Sequence, residues 1–258
     1  MKKKEIFEYF AFGFNYGLLK RNGTRNYSSA HAATDIRDFV SKLDELELLV
    51  SKKIAEELLP IASEIEKSGI NVGQEQADQI KKIIEKIDPS LDAELQLKAA
   101  YILVKKRYPL ETLLDNPLTL LSKRAPTTLT KNSDLDFRLA CRQIALSQAT
   151  SAAFHLMRAL EEQVRCLYYG FKKTKRLKTP MWSPMIQQLR SKRNPKPSNK
   201  LLDHLDGMRV HFRNPTQHPD VFYKIDEAQD LLNQTITAIN MIAAELPIPK
   251  NKNVDDLI

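Results

Sequence analysis

Apolar residues recur every three or four positions along most of this chain, which is the spacing of one face of an α-helix. In the C-terminal half the pattern predicts one long helix over residues 134–170, ended by Gly170 as a C-cap. Shorter helices are predicted over 185–189, 200–213 and 226–246. A long helix followed by a loop, a helix, a turn and a last helix is typical of an antiparallel helical bundle.

The same spacing in the N-terminal half predicts helices over 34–68, 74–87 and 91–107. Pro60 lies inside the first of these segments, and we expect it to kink or divide that helix. The chain holds 7 glycines and few runs of β-branched residues, a composition that favours helices over strands. The predicted fold class is therefore all-α, with an N-terminal helical region followed by an antiparallel bundle.

Three prolines, at positions 109, 117 and 126, interrupt the segment between the two helical regions. Proline breaks regular structure and is common at domain boundaries. The predicted organisation is, in chain order, an N-terminal helical domain (1–107), a proline-containing connector (108–133), a helical bundle (134–248) and a polar tail (249–258).

The apolar stretches are short and interrupted by charges, so the sequence predicts no membrane-spanning segment. Glu5 and Glu8 interrupt the apolar N-terminal segment, which argues against a signal peptide. Cys141 and Cys166 fall in the one predicted long helix, roughly 37 Å apart, too far for a disulfide. No Cys/His spacing resembles a zinc site. These features predict a cytoplasmic protein with reduced thiols, no membrane partner, no metal and no cofactor.

Positive charge is concentrated in one part of the chain. Residues 163–202 contain eleven Lys or Arg and no Asp or Glu, so this window carries +11, the whole chain +8 and the remainder −3. Such a patch is typical of nucleic-acid binders, although a solvated lysine-rich loop has the same composition. The candidate RNA-binding residues in and just after this window are Lys172, Lys173, Lys175, Arg176, Lys178, Arg190, Lys192, Arg193, Arg209 and His211.

Aromatic residues crowd the N-terminal segment. Six of them lie within ten positions: Phe7, Tyr9, Phe10, Phe12, Phe14 and Tyr16. Such a group can form a small hydrophobic cluster that caps the fold, or a platform on which nucleic-acid bases stack.

A cation, an amide and an imidazole occur within six positions between the last two predicted helices: Arg213, Asn214 and His218. An arginine fork can hold two phosphate oxygens at once, and histidine can move a proton near neutral pH. The alternative is structural, because Asn-Pro often opens a turn and cations at a helix end offset its dipole. Pro215 is expected to end the preceding helix, since proline disfavours a helical predecessor.

The segments Ala153–Glu161 and Phe212–Pro219 together resemble the HEPN superfamily, over about residues 134–246. That family's diagnostic element is an Arg followed four to six residues later by a His, often with Asn directly after the Arg. Arg213, Asn214 and His218 match this form. The resemblance implies that the C-terminal region folds as an HEPN-like helical bundle.

The resemblance implies a metal-independent endoribonuclease that acts as a homodimer, with the two motifs facing one cleft. Arg213 would bind the scissile phosphate, His218 would transfer protons and Asn214 would orient by hydrogen bonding. Such an enzyme implies a toxin-like or phage-defence effector, controlled by an antitoxin or another regulatory partner. Two alternatives are a noncatalytic HEPN module that binds nucleotides or RNA and dimerises, and a helical scaffold in which the motif braces helices.

Other polar residues of the first bundle helix have possible roles beside the motif. His155 is expected to be a hydrogen-bonded packing residue. Arg158, Glu161 and Glu162 are candidates to orient the Arg213 guanidinium across the bundle, because a buried arginine needs a partner. Surface pairs within the helix are the alternative use of these three residues.

Overall fold

A computed structural model describes residues 5–99, 101–247 and 254–257 of the chain. Helices, turns and irregular segments make up these residues, with no β-strand among them, which confirms the all-α prediction. No helix within the described ranges is both long enough and apolar enough to cross a membrane. The chain divides into two compact units, Met1–Tyr101 and Ile102–Ile258, called here the first and second unit.

Five helices form the first unit. They are α1 (Ile6–Asn22), α2 (Ser29–Glu45), α3 (Leu49–Ala55), α4 (Leu58–Ser68) and α5 (Gln74–Gln96). Their buried faces share one core in which Phe12 stacks on Phe39, with ring centroids 5.6 Å apart. The apolar spacing thus correctly indicated helices within 34–68 and 74–87, but it did not predict α1, which carries apolar side chains on both its buried and its exposed face.

The helix boundaries in this unit differ from the predictions. The segment predicted as a divided helix over 34–68 is three helices, and Glu47 adopts a left-handed conformation (φ 56°) in the turn between α2 and α3. Pro60 lies in the first turn of α4, where a missing N–H removes no intrahelical bond. The helix α5 runs through Pro89 and ends at Gln96, so the helix predicted over 91–107 is mostly absent.

The start of α3 is capped by a carboxylate from α5. Glu94 accepts hydrogen bonds from the Val50 and Ser51 backbone N–H groups, both at 2.9 Å, and from Ser51 Oγ at 2.7 Å. Burial acts to raise the pKa of Glu94, but the hydrogen bonds from Ser51 and Val50 outweigh it and the pKa is lowered. The ionised carboxylate therefore stabilises the fold.

We expect Glu94→Gln to lower the unfolding free energy of the first unit by about 1 kcal/mol at neutral pH, the usual value of a helix cap. Because the folded-state pKa is depressed, this contribution is complete above the unfolded pKa and disappears as pH falls through the folded value. Urea unfolding at pH about 7 and about 3 checks whether the difference in unfolding free energy between the two proteins decreases as the pH falls. Equal stability of the two proteins at neutral pH would contradict this role.

The second unit contains seven α-helices and several shorter turns among its described residues. They are α6 (Leu110–Leu114), two 3-10 turns (Pro117–Leu120 and Ala125–Thr128), α7 (Lys131–Ala145), α8 (Ala149–Phe171), α9 (Trp182–Arg190), α10 (Asn199–Met208), a π-helical turn (Arg209–Arg213), α11 (Asn214–Thr216), α12 (Ile225–Glu245) and a 3-10 turn (Val254–Leu257).

Four of these helices, α7, α8, α10 and α12, alternate in direction. A three-residue turn reverses the chain between α7 and α8. The Tyr223 N–H donates to Thr150 Oγ1 at 3.1 Å, so α8 and α12 begin at the same end. The Ser198 N–H donates to Glu245 Oε2 at 2.7 Å, so α10 begins where α12 ends. The result is an up-down-up-down bundle around one core.

The prediction of one long helix over 134–170 is wrong. The chain turns between Ala145 and Ala149, where Ser147 has a left-handed backbone (φ 60°). The apolar spacing continues across this turn, and no Gly or Pro marks it. Cys141 and Cys166 therefore lie in two different helices, and the separation calculated along one helix does not apply. Both thiols are unpaired and buried, and burial raises the pKa of each to about 12.

The segment interpreted as a connector, 108–133, lies within the second unit and runs along α12. The Ser122 N–H donates to Asn240 Oδ1 at 2.8 Å, and the Arg124 guanidinium donates to backbone carbonyls at the end of α12. Pro117 occupies the first position of a 3-10 turn, where proline is favoured. Its prolines thus begin short turns that pack on the bundle.

The segment interpreted as a polar tail, 249–258, lies partly outside the described residues. Within its described part, Val254 is buried in the core of the second unit. Asp255 accepts a hydrogen bond from the Lys131 N–H at 3.1 Å. This part of the segment therefore contacts the start of α7.

Candidate nucleic-acid interface

Arg213 and Asn214 lie on a continuous helical segment that begins with α10 and ends at Thr216, and His218 lies in the turn that follows. The Asn214 N–H donates to the carbonyl of Arg209, five residues earlier, which defines the π turn between α10 and α11. Asn214 has helical angles (φ −64°, ψ −49°), so the prediction that Pro215 ends this helix is wrong. A π turn widens the helix just before the proline, which relieves the clash of its ring with the carbonyl four residues back. Such turns are frequent at functional sites.

Arg213 contacts Glu161 of α8. Its Nε donates to Glu161 Oε2 at 3.2 Å and its Nη2 to Oε1 at 3.5 Å, while 31% of the Arg213 side chain stays exposed. Arg158 and Glu162, the other two candidates for orienting Arg213, have different partners, Asp136 and Arg165. Because Nη1 forms no hydrogen bond among the described residues, the guanidinium is held on one edge and open on another.

Asn214 is exposed in the last turn of this segment, and His218 is exposed two residues after its end. The His218 backbone N–H donates to the Pro215 carbonyl at 2.9 Å, which fixes the turn. Within the described part of the chain, no hydrogen bond reaches the His218 imidazole. Its backbone position is therefore set by the fold, whereas its ring is left for solvent, a second protomer or a ligand to orient.

Two residues that sequence reasoning missed brace this turn. Thr216 Oγ1 donates to the Phe212 carbonyl at 2.6 Å and hydrogen bonds with the Tyr223 hydroxyl at 2.7 Å. The Tyr223 backbone is itself bound to Thr150 at the start of α8. The bond from Thr216 to Phe212 is local, but the pairing of the Thr216 and Tyr223 hydroxyls joins the motif segment to the start of α12, and no signal in the sequence marked it.

The candidate RNA-binding residues 172, 173, 175, 176 and 178 lie in the basic loop, residues 172–181 between α8 and α9. The guanidinium of Arg176 lies 4.6 Å from the ring centroid of Tyr169, and its Nε donates to the Lys172 carbonyl at 2.8 Å. Lys175 has a left-handed backbone (φ 50°). Cation–π and backbone contacts thus give the basic loop a defined shape.

A buried tyrosine anchors the basic loop to the bundle. Tyr168 is fully buried, its hydroxyl donates to Gln188 Oε1 at 2.7 Å, and it accepts the Leu177 N–H at 2.9 Å. The basic loop leaves α8 ten residues after Glu161, which is about 15 Å along the helix axis. The structure therefore places the basic loop and Arg213 along one helix, at separate positions.

The remaining candidate RNA-binding residues divide by their partners. Arg190 Nη1 contacts Asp203 Oδ1 at 2.6 Å and Arg209 Nε contacts Asp206 Oδ1 at 2.9 Å, so both cations are partly neutralised. Lys192 donates to the Arg193 carbonyl at 3.3 Å. The side chains of Arg193 and His211 are exposed.

A second polar cluster joins α7 and α8. The buried carboxylate of Asp136 forms hydrogen bonds with His155 Nδ1 at 2.8 Å and Arg158 Nε at 3.1 Å. His155 is thus hydrogen-bonded within the packing of the bundle, as expected. Its partner was not identifiable in the sequence, because the pairing depends on the unpredicted turn between these helices.

The described residues contain no group of three or more His, Cys, Asp or Glu side chains placed to hold a metal ion. The chain matches no family model, no curated protein and no solved structure. What the site can do therefore follows from its own residues: an anchored guanidinium, an exposed imidazole and a basic loop on one helical unit.

Proposed function

We propose that this protein is a metal-independent endoribonuclease of the HEPN type, which binds RNA through the basic loop and cleaves it at Arg213 and His218. The observation that carries the proposal is the Arg213 guanidinium, held against Glu161 with one nitrogen unbonded, on the turn that exposes His218. An arginine fixed in this way can bind a phosphate without first losing much conformational entropy.

The chemistry needs no group beyond these side chains and the RNA. The 2′-hydroxyl oxygen attacks the adjacent phosphorus, the bond from phosphorus to the 5′-oxygen breaks, and a 2′,3′-cyclic phosphate and a 5′-hydroxyl result. A neutral imidazole takes the proton of the 2′-hydroxyl, and a second, protonated imidazole donates a proton to the leaving 5′-oxygen. Arg213 stabilises the charge on the phosphorane, and Asn214 hydrogen bonds to the substrate.

Each chain contributes one motif histidine, and two proton transfers are required. In a homodimer with facing motifs, His218 of each chain takes one of the two roles. This arrangement also accounts for the exposed imidazole, which has no partner of its own within the described residues. A ribonuclease that acts on the RNA of its own cell requires control, so we extend the proposal to a cytoplasmic toxin-like or phage-defence effector with an antitoxin or regulatory partner.

Incubation of the full chain with RNA in excess EDTA tests this function. We expect cleaved RNA with 2′,3′-cyclic phosphate and 5′-hydroxyl ends. Cleavage that requires an added divalent cation, or that leaves 3′-hydroxyl ends, would contradict the mechanism.

The second candidate is a noncatalytic HEPN module that binds nucleotides or RNA and dimerises. Glu161 engages two of the three guanidinium nitrogens of Arg213, and no described residue orients the His218 ring. Both observations suit a binding role as well as a catalytic one. RNA that is bound but recovered intact would favour this module over the enzyme.

Neutralising the basic loop should weaken RNA binding and flatten its salt dependence. For the change of residues 172, 173, 175 and 176 to Gln, we expect the slope of log affinity against log salt to fall by about 0.7 for each phosphate that the loop no longer neutralises. Fluorescence anisotropy over a salt series measures the slope. A matched control changes four exposed cations of the first unit to Gln: Arg21, Arg25, Lys67 and Lys82. An equal decrease of slope in the control would assign the effect to net charge.

A further inference from the structure

One face of α1 presents large apolar side chains to solvent. Ile6, Phe7, Phe10 and Phe14, called here the aromatic stripe, are each between 65% and 78% exposed. Their spacing of three and four places them on one side of the helix. The opposite side is buried through Phe12 and Leu19. The other face of α1 contributes to the core of the first unit, so the exposed side chains are not needed to complete that core.

Two glycines lie beside the aromatic stripe on the same helix. A Cβ added at Gly13 or at Gly17 would meet no atom within 4 Å, and neither residue has a positive φ. Glycine inside a helix costs about 1 kcal/mol relative to alanine. The isolated chain gives no reason for this cost at either position. Glycines four residues apart, however, allow a second helix to approach closely.

We propose that α1 packs against α1 of a second copy of this chain. The absent side chains of Gly13 and Gly17 leave a shallow notch on α1, and the aromatic stripe of each copy lies in the notch of the other copy. A two-fold interface requires one surface that carries both parts of a complementary pair. The aromatic rings and the adjacent notch meet that requirement on one helix. A lipid surface would use the rings but not the glycines.

The exposed area is sufficient for such an interface. An aromatic side chain buries about 150–250 Å² when fully covered, so the aromatic stripe with the half-exposed Tyr9 can bury about 500–600 Å² per copy. The pair then buries about 1,000–1,200 Å², which is the lower limit for a specific association. Close approach of the helix backbones at Gly13 and Gly17 adds contacts beyond this area.

Sedimentation velocity on the full chain tests the interface. We expect the double variant Phe10→Glu/Phe14→Glu to weaken self-association at least tenfold, because four buried carboxylates would face each other. The control Phe222→Glu changes an exposed phenylalanine of the second unit and should sediment as the wild type. Unchanged association of the double variant, together with a negative cross-linking result, would overturn the proposal.

Replacing the two glycines is expected to change monomer stability and self-association in opposite directions. Gly13→Ala/Gly17→Ala should raise the unfolding free energy of the monomer at low protein concentration, because alanine favours helix, while weakening self-association. A structural role confined to one chain predicts no change in association. Stabilisation without any loss of association would therefore overturn the role of the notch.

Cross-linking identifies the contact even if a second interface holds two copies together. The native thiols are buried and their pKa values are raised to about 12, so a single Ala11→Cys substitution, at an exposed position of α1 that belongs neither to the aromatic stripe nor to the glycines, provides one reactive thiol. We expect mild oxidation to give a covalent dimer, and Lys67→Cys on α4 to give none. Adding Phe10→Glu should abolish the cross-link.

The same variants separate other occupants from a second copy. Flotation with vesicles that contain phosphatidylserine measures lipid binding. A membrane surface would be the partner if the wild type floats with the vesicles, the double variant does not, no cross-link forms and sedimentation is unchanged. That combination of results would overturn the proposal. The RNA-cleavage test depends on residues of the second unit, so the two proposals can fail separately.

Discussion

His218→Ala is expected to lower the rate of RNA cleavage by at least about 100-fold, because a positioned acid–base group contributes roughly 10²–10⁴-fold. The folded state and RNA affinity should change little, since the imidazole is exposed and forms no hydrogen bond among the described residues. Single-turnover cleavage, anisotropy and thermal unfolding measure the three properties separately. Equal losses of cleavage and stability would give His218 a structural role.

Arg213→Ala should reduce the rate of RNA cleavage about tenfold more than His218→Ala does. In the proposed mechanism it removes the cation that binds the scissile phosphate, and it leaves Glu161 unpaired. Glu161→Gln distinguishes the two effects. It keeps the cation but weakens its anchor, so we expect a smaller loss of rate. The control for these cleavage measurements is His31→Ala, which removes an exposed histidine on α2 of the first unit. This variant protein should cleave RNA at the wild-type rate.

Gly23→Ala is expected to destabilise the first unit by about 3 kcal/mol or more. Gly23 ends α1 in a left-handed conformation (φ 52°), and an added Cβ would lie 2.1 Å from the Ala77 carbonyl oxygen. The left-handed backbone costs a non-glycine residue about 1–2 kcal/mol, and forced overlap in a packed site costs about 1–3 kcal/mol more. Urea unfolding at fixed protein concentration measures the sum.

Gly69→Ala separates the two contributions. Gly69 also has a left-handed backbone (φ 63°), but an added Cβ would meet nothing within 4 Å. We therefore expect it to lose only the conformational part, about 1–2 kcal/mol. If both variants lose the same stability, α1 and α5 move apart at little cost and the contact at Ala77 does not matter.

Amphipathic spacing was sufficient to predict the all-α fold class, because most of the described helices bury one apolar face in a core. It did not predict α1, which is apolar on both faces. It did not locate turns that lack glycine or proline. Ser147 adopts a left-handed backbone between α7 and α8, and apolar positions continue in register on either side. Conversely, the segment with three prolines was interpreted as a connector, although Pro117 begins a turn that packs on the bundle.

The sequence identified those residues of the candidate site that lie close together along the chain. Arg213 and His218 are five residues apart, and Glu161 was one of three candidates to contact the arginine. The braces of the turn, Thr216 and Tyr223, were missed, because a pair of hydroxyls that joins two segments leaves no periodic signal. The sequence therefore placed the motif residues near one another, but it did not identify the contacts that hold them in place.

The π turn before Asn214 is geometrically equivalent to one residue inserted into an α-helix. Each residue of an α-helix advances the side chains by about 100°, but a π turn takes up one extra residue within a single turn, so the residues before and after it keep their faces. A lineage that lost one residue between 209 and 213 and closed this turn into α-helix would therefore keep both α10 and the side on which the arginine meets Glu161. It would, however, bring the ring of Pro215 against a backbone carbonyl. The length of this segment is therefore constrained by the proline that follows it and not by the contact of the arginine.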